Sequence, residues 1–458
     1  MKSDQQIIER SRIAIILPRF VAGKICYHST MIVIEAKLKG TQSQYNKLDE
    51  AIRTGQFIRN SCLRHWENNK QVTRNDLQKL CSVLAKNPET PWTKKLNSQA
   101  RQAHADRAWA AIQRFYHNCR LGRPGKKGYP KYKKFSRSVE YKNSGWKLSA
   151  DRRQIVFTDG FQVGTMELWT SRDLVWYSVH QISRVRVIRR ADGYYAQFLV
   201  DLDRLEEPQF QGKMTGIDLG LKEFYTDSEG NTVNNPRYLR KSERRLKMLQ
   251  RRVSKKQKKG KKQSKRYQKA RIALAKQHLK ISRQREDKAR KDALALVKSN
   301  DLIVYEDLKI RNLVKNHHLA KSISDASWYQ FTQWLQYFAK VHGIIVIAVS
   351  PHSTTVDCSC CGAKVKKTLS TRTHRCNKCG TVLDRDHNAA KNILAKGFKL
   401  LAEYLNSTVG HTESGAKSLK AQGETDLWLK NGDVLTLSRL DELRTKDSWE
   451  SPTILRSN

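Results

Sequence analysis

The chain has 458 residues, with 88 Lys and Arg against 43 Asp and Glu, a formal net charge of +45. Its hydrophobic fraction of 38% can build cores. The longest apolar stretches, such as 343–349, fall far short of the ~20 residues of a spanning helix, residues 13–17 are too short for a secretory signal core, and nine cysteines are too few for a disulfide scaffold. This excludes spanning and secreted classes and points to a cytoplasmic, nucleoid-associated protein whose self-repulsion is relieved by a phosphate backbone.

Residues 31–37 alternate apolar side chains and predict a strand, followed by a helix from 42 to 52. A longer helix is predicted over 96–119, where Ala105, Ala108, Trp109, Ile112, Phe115 and Tyr116 share one face. The segment 122–134 then mixes Gly and Pro with Arg123, Lys126, Lys127, Lys131, Lys133 and Lys134, which forbids a helix. Those cations, interleaved with Tyr129, Tyr132 and Phe135, suit phosphate contact with base stacking. Short strands follow at 154–157, 183–189 and 194–200, the last two flanking the hairpin signal Asp192-Gly193. The N-terminal half thus reads as a small β-barrel with a helical insertion.

After a polar junction at 206–212, an apolar strand carries Asp218 between Ile217 and Leu219, and a second strand ends at 228–230. Residues 240–266 hold fifteen Lys and Arg against one acid, Glu243. They predict a helical hairpin, broken near Gly260 and continuing to 298, that meets a phosphate backbone through Arg251, Arg252 and Arg285. Residues 302–305 form a buried strand ending in Glu306. A helix over 328–341 and a buried strand over 344–349 come next. A helix opens around Asp386, and a weakly patterned segment from about 406 reads as disordered.

Two C-x-x-C pairs, Cys358/Cys361 and Cys376/Cys379, are fourteen residues apart. That spacing fits a zinc ribbon whose four thiolates close a structural site. Cys360 and His374 are rival ligands. Asp218, Glu306 and Asp386 each have a structural use alone: accepting backbone hydrogen bonds, pairing with lysine, capping a helix. Together, a strand-borne Asp, a strand-end Glu and a pre-helix Asp suit an RNase H-like sheet. There three carboxylates hold divalent metal, magnesium foremost, as a two-ion site for phosphodiester hydrolysis.

The stretches GIDLGLKEFYTDSEG at 216–230, VYEDLKIRNL at 304–313, CSCCG at 358–362, RCNKCG at 375–380 and DRDHNAAKNIL at 384–394 resemble the TnpB family. So do GKKGYPKYKK at 125–134 and RRADGYYAQF at 189–198. These are transposon-encoded RNA-guided DNA nucleases of the OrfB type, related to compact type V CRISPR effectors. The resemblance implies an α+β multidomain chain: an extension (1–28), a wedge-like barrel in two parts (29–45 and 135–208) around a helical recognition lobe (46–134), and a RuvC-type nuclease domain (209–355 and 381–405). That domain carries the basic hairpin (237–298) and is interrupted by the zinc ribbon (356–380), with a tail at 406–458. The resemblance further implies Asp218, Glu306 and Asp386 as metal ligands, Asp386 being chosen over Asp384 by the Asp-x-Asn element. A guide RNA from the transposon end and double-stranded target DNA beside a short adjacent motif are the implied partners. A strand-transferring transposase and a non-cleaving RNA-guided regulator are the alternatives. Residues 354–357 depart from the family's usual Thr-Ser-Gln.

Overall fold

The computed structural model describes residues 30–122, 125–202, 212–258, 260, 262–368 and 370–409, with short strands at Ile15–Ile16, Phe20–Val21 and Lys24–Ile25. The chain falls into two compact units, His28–Arg204 and a second built from Leu205–Asn458 with Met1–Tyr27.

In the first unit, β1 (Thr30–Lys39) buries Ile32, Ile34, Ala36 and Leu38 and turns the residues between them outward, as its alternation requires. Three helices follow: α1 (Gln42–Asn68), α2 (Arg74–Lys86) and α3 (Ser98–Arg120). Capping boxes Thr41/Gln44 and Thr73/Asp76 start the first two, and the Asn97 side chain starts the third. The chain then returns as β2 (Ser138–Tyr141), β3 (Trp146–Leu148), β4 (Gln154–Phe157), β5 (Gly164–Trp169), β6 (Ile182–Arg190) and β7 (Gly193–Leu202). These make one antiparallel sheet in the order β2-β6-β7-β1-β5-β4-β3. Among the described residues no ladder joins its end strands, β2 and β3. The β6–β7 turn falls at the expected dipeptide, where Gly193 takes φ +137°.

The second unit holds β8 (Met214–Leu219), β9 (Glu223–Asp227), β10 (Thr232–Asn234), α4 (Tyr238–Lys256), α5 (Lys265–Ser299), β11 (Leu302–Glu306), α6 (Ile310–Leu313), α7 (His317–Ala326), α8 (Trp328–His342) and β12 (Ile345–Val349). Then come β13 (Thr373–Arg375), β14 (Val382–Asp384) and α9 (Arg385–Val409). Strands β8, β11 and β12 are parallel neighbours, with β9 and β10 antiparallel beyond β8. On the other edge, Ile15 and Ile16 pair antiparallel with Ile347 and Val346, so part of the predicted extension adds an edge to this sheet.

Period-two alternation divides the sheet into two faces. Ile217, Leu219, Ile303, Tyr305, Val346 and Ala348 pack with residues of α5 and α8, among them Ala293, Val297, Phe331 and Leu335. Leu302, Val304, Ile345, Ile347 and Val349 pack on the opposite face with Ile393 and Leu401 of α9. Gly216 and Gly397 allow α9 to lie close. A Cβ at 216 would stand 2.3 Å from the Ala390 carbonyl oxygen, and one at 397 would stand 2.3 Å from Val304 Cγ2.

Arg285, one of the expected phosphate contacts, is held within the fold. Its Nε and Nη2 donate to the buried Asp325 Oδ1 at 3.0 and 2.8 Å. Asp325 also accepts the backbone N–H groups of Leu239 and Arg240, which begin α4. Arg285 therefore helps pin the basic hairpin to α7, the stable solution for a buried acid. No helix among the described residues is long and apolar enough to cross a membrane.

Candidate active site

Asp218 and Glu306 come together through strand register. Ile217 pairs with Tyr305 across the parallel β8–β11 ladder, so Asp218 and Glu306 occupy the next step on strands ~4.8 Å apart. Both point away from the Ile217/Tyr305 face, toward α9. Gly216, two residues before Asp218, touches Ala390 and Leu394. One helical turn up α9 from Ala390 lies Asp386, in the helix's first turn. The two-residue step along β8 (~6.7 Å) and the four-residue step along α9 (~6 Å) nearly match. The helix that packs on Gly216 thus carries Asp386 alongside Asp218.

The electrostatics report this convergence. Burial pushes Asp218 up to about 8, and repulsion from Glu306 and Asp386 adds to it, eased by Arg385. Glu306 is buried and also raised, first by desolvation; the Thr354 hydroxyl, donating to its Oε1 at 2.6 Å, and Lys396 work against the rise. Asp386 is held by arginines, Arg385 Nε at 2.9 Å from Oδ1 and Arg372 Nη1 at 3.6 Å from Oδ2. Asp384 has a different role: its Oδ1 accepts the backbone N–H groups of Asp386 and His387, capping α9. Hard carboxylate oxygens that repel one another suit a divalent cation such as magnesium. The three carboxylates share a face, but among the described residues only the cysteines form a group with all ligand atoms within 4.8 Å of one another.

That cysteine group is Cys358, Cys361, Cys376 and Cys379. The sulfurs of Cys358/Cys379 and of Cys361/Cys376 are each 3.6 Å apart, close to the ~3.8 Å edge of a tetrahedron with 2.3 Å Zn–S bonds. The two knuckles repeat each other. Gly362 and Gly380 donate to Cys358 and Cys376 carbonyls at 2.9 Å with φ of +70° and +74°, positions that favour glycine. The Thr381 hydroxyl and backbone N–H lower Cys379 to about 6, into the thiolate range. Cys360 is exposed and outside the group; His374 is buried with neither ring nitrogen partnered, and is also outside it.

The two centres are joined by α9. Asn388 Nδ2 donates to the Asp357 carbonyl at 2.9 Å while its Oδ1 accepts the Ser359 N–H at 3.0 Å. Asn392, one turn on, donates to the carbonyls of Thr354 and Asp357 at 2.8 and 2.7 Å. The segment leading into the first knuckle is thereby fixed, and with it Thr354 against Glu306. Sequence reasoning gave no role to Asn392 or Arg385, used Asn388 only as part of the Asp-x-Asn element, and noted Thr354 only as a departure from the family pattern. The signal for the asparagines was their i, i+4 spacing.

Of the expected phosphate contacts, Lys126, Lys131, Lys133, Lys134, Arg251 and Arg252 are exposed, Lys127 is half-buried, and Arg123 lies outside the described residues. Backbone carbonyls of the 131–134 segment are tied to α1 by Arg59, Gln56 and Asn60, which leaves its lysine side chains on the surface.

A family model described as "Probable transposase" matches residues 197–317, and one described as "Cas12f1-like, TNB domain" matches 328–393. A Streptomyces pristinaespiralis protein named "Putative RNA-guided DNA endonuclease" is 33% identical over 213 residues, 46% of this chain and 51% of that protein. The chain thus spans about half the length of that relative. "Putative RNA-guided DNA endonuclease InsQ" of Escherichia coli (strain K12) is 26% identical over 331 residues, 69% of this chain and 78% of that one. "TnpB-like protein L79" of Acanthamoeba polyphaga mimivirus is 34% identical over 132 residues, 28% of this chain and 25% of that one.

Over these stretches the chain is similar to TnpB-like proteins and to proteins named RNA-guided DNA endonucleases. The "Probable transposase" match includes Asp218 and Glu306, and the TNB match includes all four clustered cysteines and Asp386. Both matches thus fall almost wholly on the unit that holds the carboxylates and the thiolates.

Proposed function

We propose that the protein is an RNA-guided DNA endonuclease with a RuvC-like Asp218–Glu306–Asp386 site and a structural zinc ribbon. The observation that carries this reading is the placement of Asp218 and Glu306 at the same step of adjacent parallel strands, facing a helix whose first turn bears Asp386. Open α/β sheets bind substrates at these carboxyl ends of parallel strands.

Bound magnesium would activate a water and stabilise the leaving oxygen of a phosphodiester. The chain's own residues prepare that site. Glu306 is oriented by Thr354; Asp218 is held on a rigid strand; Asp386 is carried by α9 and held by Arg385 and Arg372. The four thiolates supply no open position to a zinc ion, so its part is to hold the segment that orients Glu306. Exposed lysines and arginines draw in the phosphates of a guide RNA and of duplex DNA, in the cytoplasm at the nucleoid. Pairing to the guide reads the target, and the protein reads a short adjacent motif.

The test is to sequence the RNA that copurifies with the protein and then exchange its guide segment. Cleavage of plasmid DNA that follows the new guide is the expected result. Strand-transfer products instead of breaks would establish the transposase alternative, and guided binding without breaks the regulator.

A further inference from the structure

We propose that Cys62 and Cys81 form a redox pair, which a small hydroperoxide oxidises to a disulfide that ties α1 to α2. The inference concerns the first unit alone and is independent of the nuclease reading.

The helices bring the two sulfurs together. Only residues 69–73 join α1 to α2, a connection short enough to make the two helices neighbours. Cys62 and Cys81 each lie about two turns from that connection, at matching heights. Both are buried, 0% and 2% exposed. Their side chains reach the same atom: Cys62 Sγ donates to the Leu77 carbonyl oxygen at 3.9 Å, and Cys81 Sγ to the same oxygen at 3.4 Å. Cys81 Sγ also lies 3.5 Å from the Arg101 carbonyl oxygen, at the start of α3.

A buried thiol that only fills space needs no charge beside it. Two guanidiniums flank this pair. Arg59, buried on α1, donates to Asn60 Oδ1 at 3.3 Å and to the Lys131 carbonyl at 3.2 Å. Arg101, half-buried on α3, donates to the Thr93 carbonyl at 3.3 Å. These acceptors are neutral, so the positive charge acts on the thiols, where it favours the thiolate. The contact between the two thiols is the largest influence on each, pushing Cys62 up and Cys81 down. Burial raises both; Arg59 works against the rise at Cys62 and Arg101 at Cys81, with Asp106 opposing Arg101. Cys81 is therefore the nucleophile and Cys62 the thiol that resolves it.

Access comes through α2, in which only Leu77 and Cys81 are buried. Few buried contacts put its opening at the low end of local stability. The Cys81 thiolate attacks one oxygen of hydrogen peroxide, the O–O bond breaks, and hydroxide leaves and takes up the proton the thiol gave up. Cys81 is now a sulfenic acid, oxidised by the two electrons that reduced the peroxide. Cys62 sulfur then attacks Cys81 sulfur, the S–S bond forms, and the expelled hydroxide leaves as water with the Cys62 proton. Two thiols and one peroxide thus give one disulfide and two waters. In a reducing compartment such a bridge is transient and redox-sensing.

The test treats the full zinc-loaded chain with graded hydrogen peroxide, alkylates the remaining thiols and digests with trypsin. Peptides 60–64 and 80–86 each carry one of the two cysteines. They should appear joined, lighter by two hydrogens than the two thiol peptides together, and separate again after dithiothreitol. Amide exchange in α2 should slow at least tenfold on oxidation, because the bridge restrains its opening. In Cys62→Ala, dimedone should trap the sulfenic acid on Cys81. The wild-type digest stands whether or not that variant folds. Peroxide that oxidises the exposed Cys119 and Cys360 while 60–64 and 80–86 stay unlinked overturns the proposal. So does a joined peptide with exchange in α2 unchanged.

Discussion

Replacing Gly216 with alanine probes how the sheet and α9 set the active site. The new Cβ would lie 2.3 Å from the Ala390 oxygen, 2.7 Å from the Leu394 nitrogen and 2.9 Å from Leu394 Cβ. Two of these atoms are helix backbone, so no side-chain rotation relieves the clash. Restoring ordinary contact distances of ~3.5 Å requires α9 to withdraw by about 1 Å. Overpacking of this kind costs ~1–3 kcal/mol, a Tm loss of roughly 2–12 °C for a unit of this size. The larger effect is on chemistry. The displaced turn lies one turn from Asp386, and a 1 Å misplacement costs ~100-fold in rate. Single-turnover cleavage of guide-matched DNA should therefore slow by about two orders of magnitude while guide affinity is unchanged. Gly397→Ala is the matched control: it clashes with Val304 at 2.3 Å, but eleven residues from Asp386, so it should lower Tm comparably with a much smaller loss of rate. Wild-type cleavage by a folded Gly216→Ala protein would refute the register argument.

Other outcomes follow from the same geometry. Asp218, raised from 3.8 to about 8, contributes stability to the metal-free protein that is full below its unfolded value and lost as pH rises toward 8. Metal binding displaces that proton, so stabilisation by magnesium should grow about tenfold in apparent affinity per pH unit up to about 8. Melting curves with and without magnesium would show it, and a magnesium effect flat between pH 6 and 8 would count against it. Elemental analysis should find one zinc per chain, absent in Cys379→Ser. Chelation should slow cleavage until zinc is restored, because the ribbon segment bolted to Asn388 and Asn392 also places Thr354 on Glu306. Arg285→Ala should destabilise by ~3–5 kcal/mol, the cost of breaking a buried pair, with the salt dependence of DNA binding unchanged. Arg252→Ala should do the reverse, flattening the salt slope by ~0.9 if its phosphate is in duplex DNA; chemical denaturation and salt titration separate the two.

Much of the second unit was legible because its parallel strands are short apolar runs with turn signals between them, and because an acid among such residues stands out. Alternation alone places Asp218 opposite to Ile217 and Leu219, and Glu306 opposite to Tyr305. What the sequence could not show was pairing at a distance. Arg285 reads as one more cation in a basic run until Asp325, forty residues on, is folded against it. Glu140 carries no sequence signal of its own; only the fold, through α3 and β6, brings three arginines to it. Helix α2 was missed, although Thr73 with Asp76 is a capping box and Leu77 and Cys81 keep helical spacing. The strands β2, β3 and β5 are too short and too polar for a period-two signal to rise above their surroundings. The tail expected to be disordered from about 406 begins as helix, since α9 runs to Val409; residues from 410 onward lie outside the described residues.

The most direct measurement is guided DNA cleavage by Asp218→Asn, which keeps the side chain's shape and removes its charge. The account predicts guide and target binding at wild-type affinity with cleavage reduced at least a thousandfold at saturating magnesium. Cleavage at the wild-type rate would contradict it, since no carboxylate centre built on β8, β11 and α9 would then be cutting the strand.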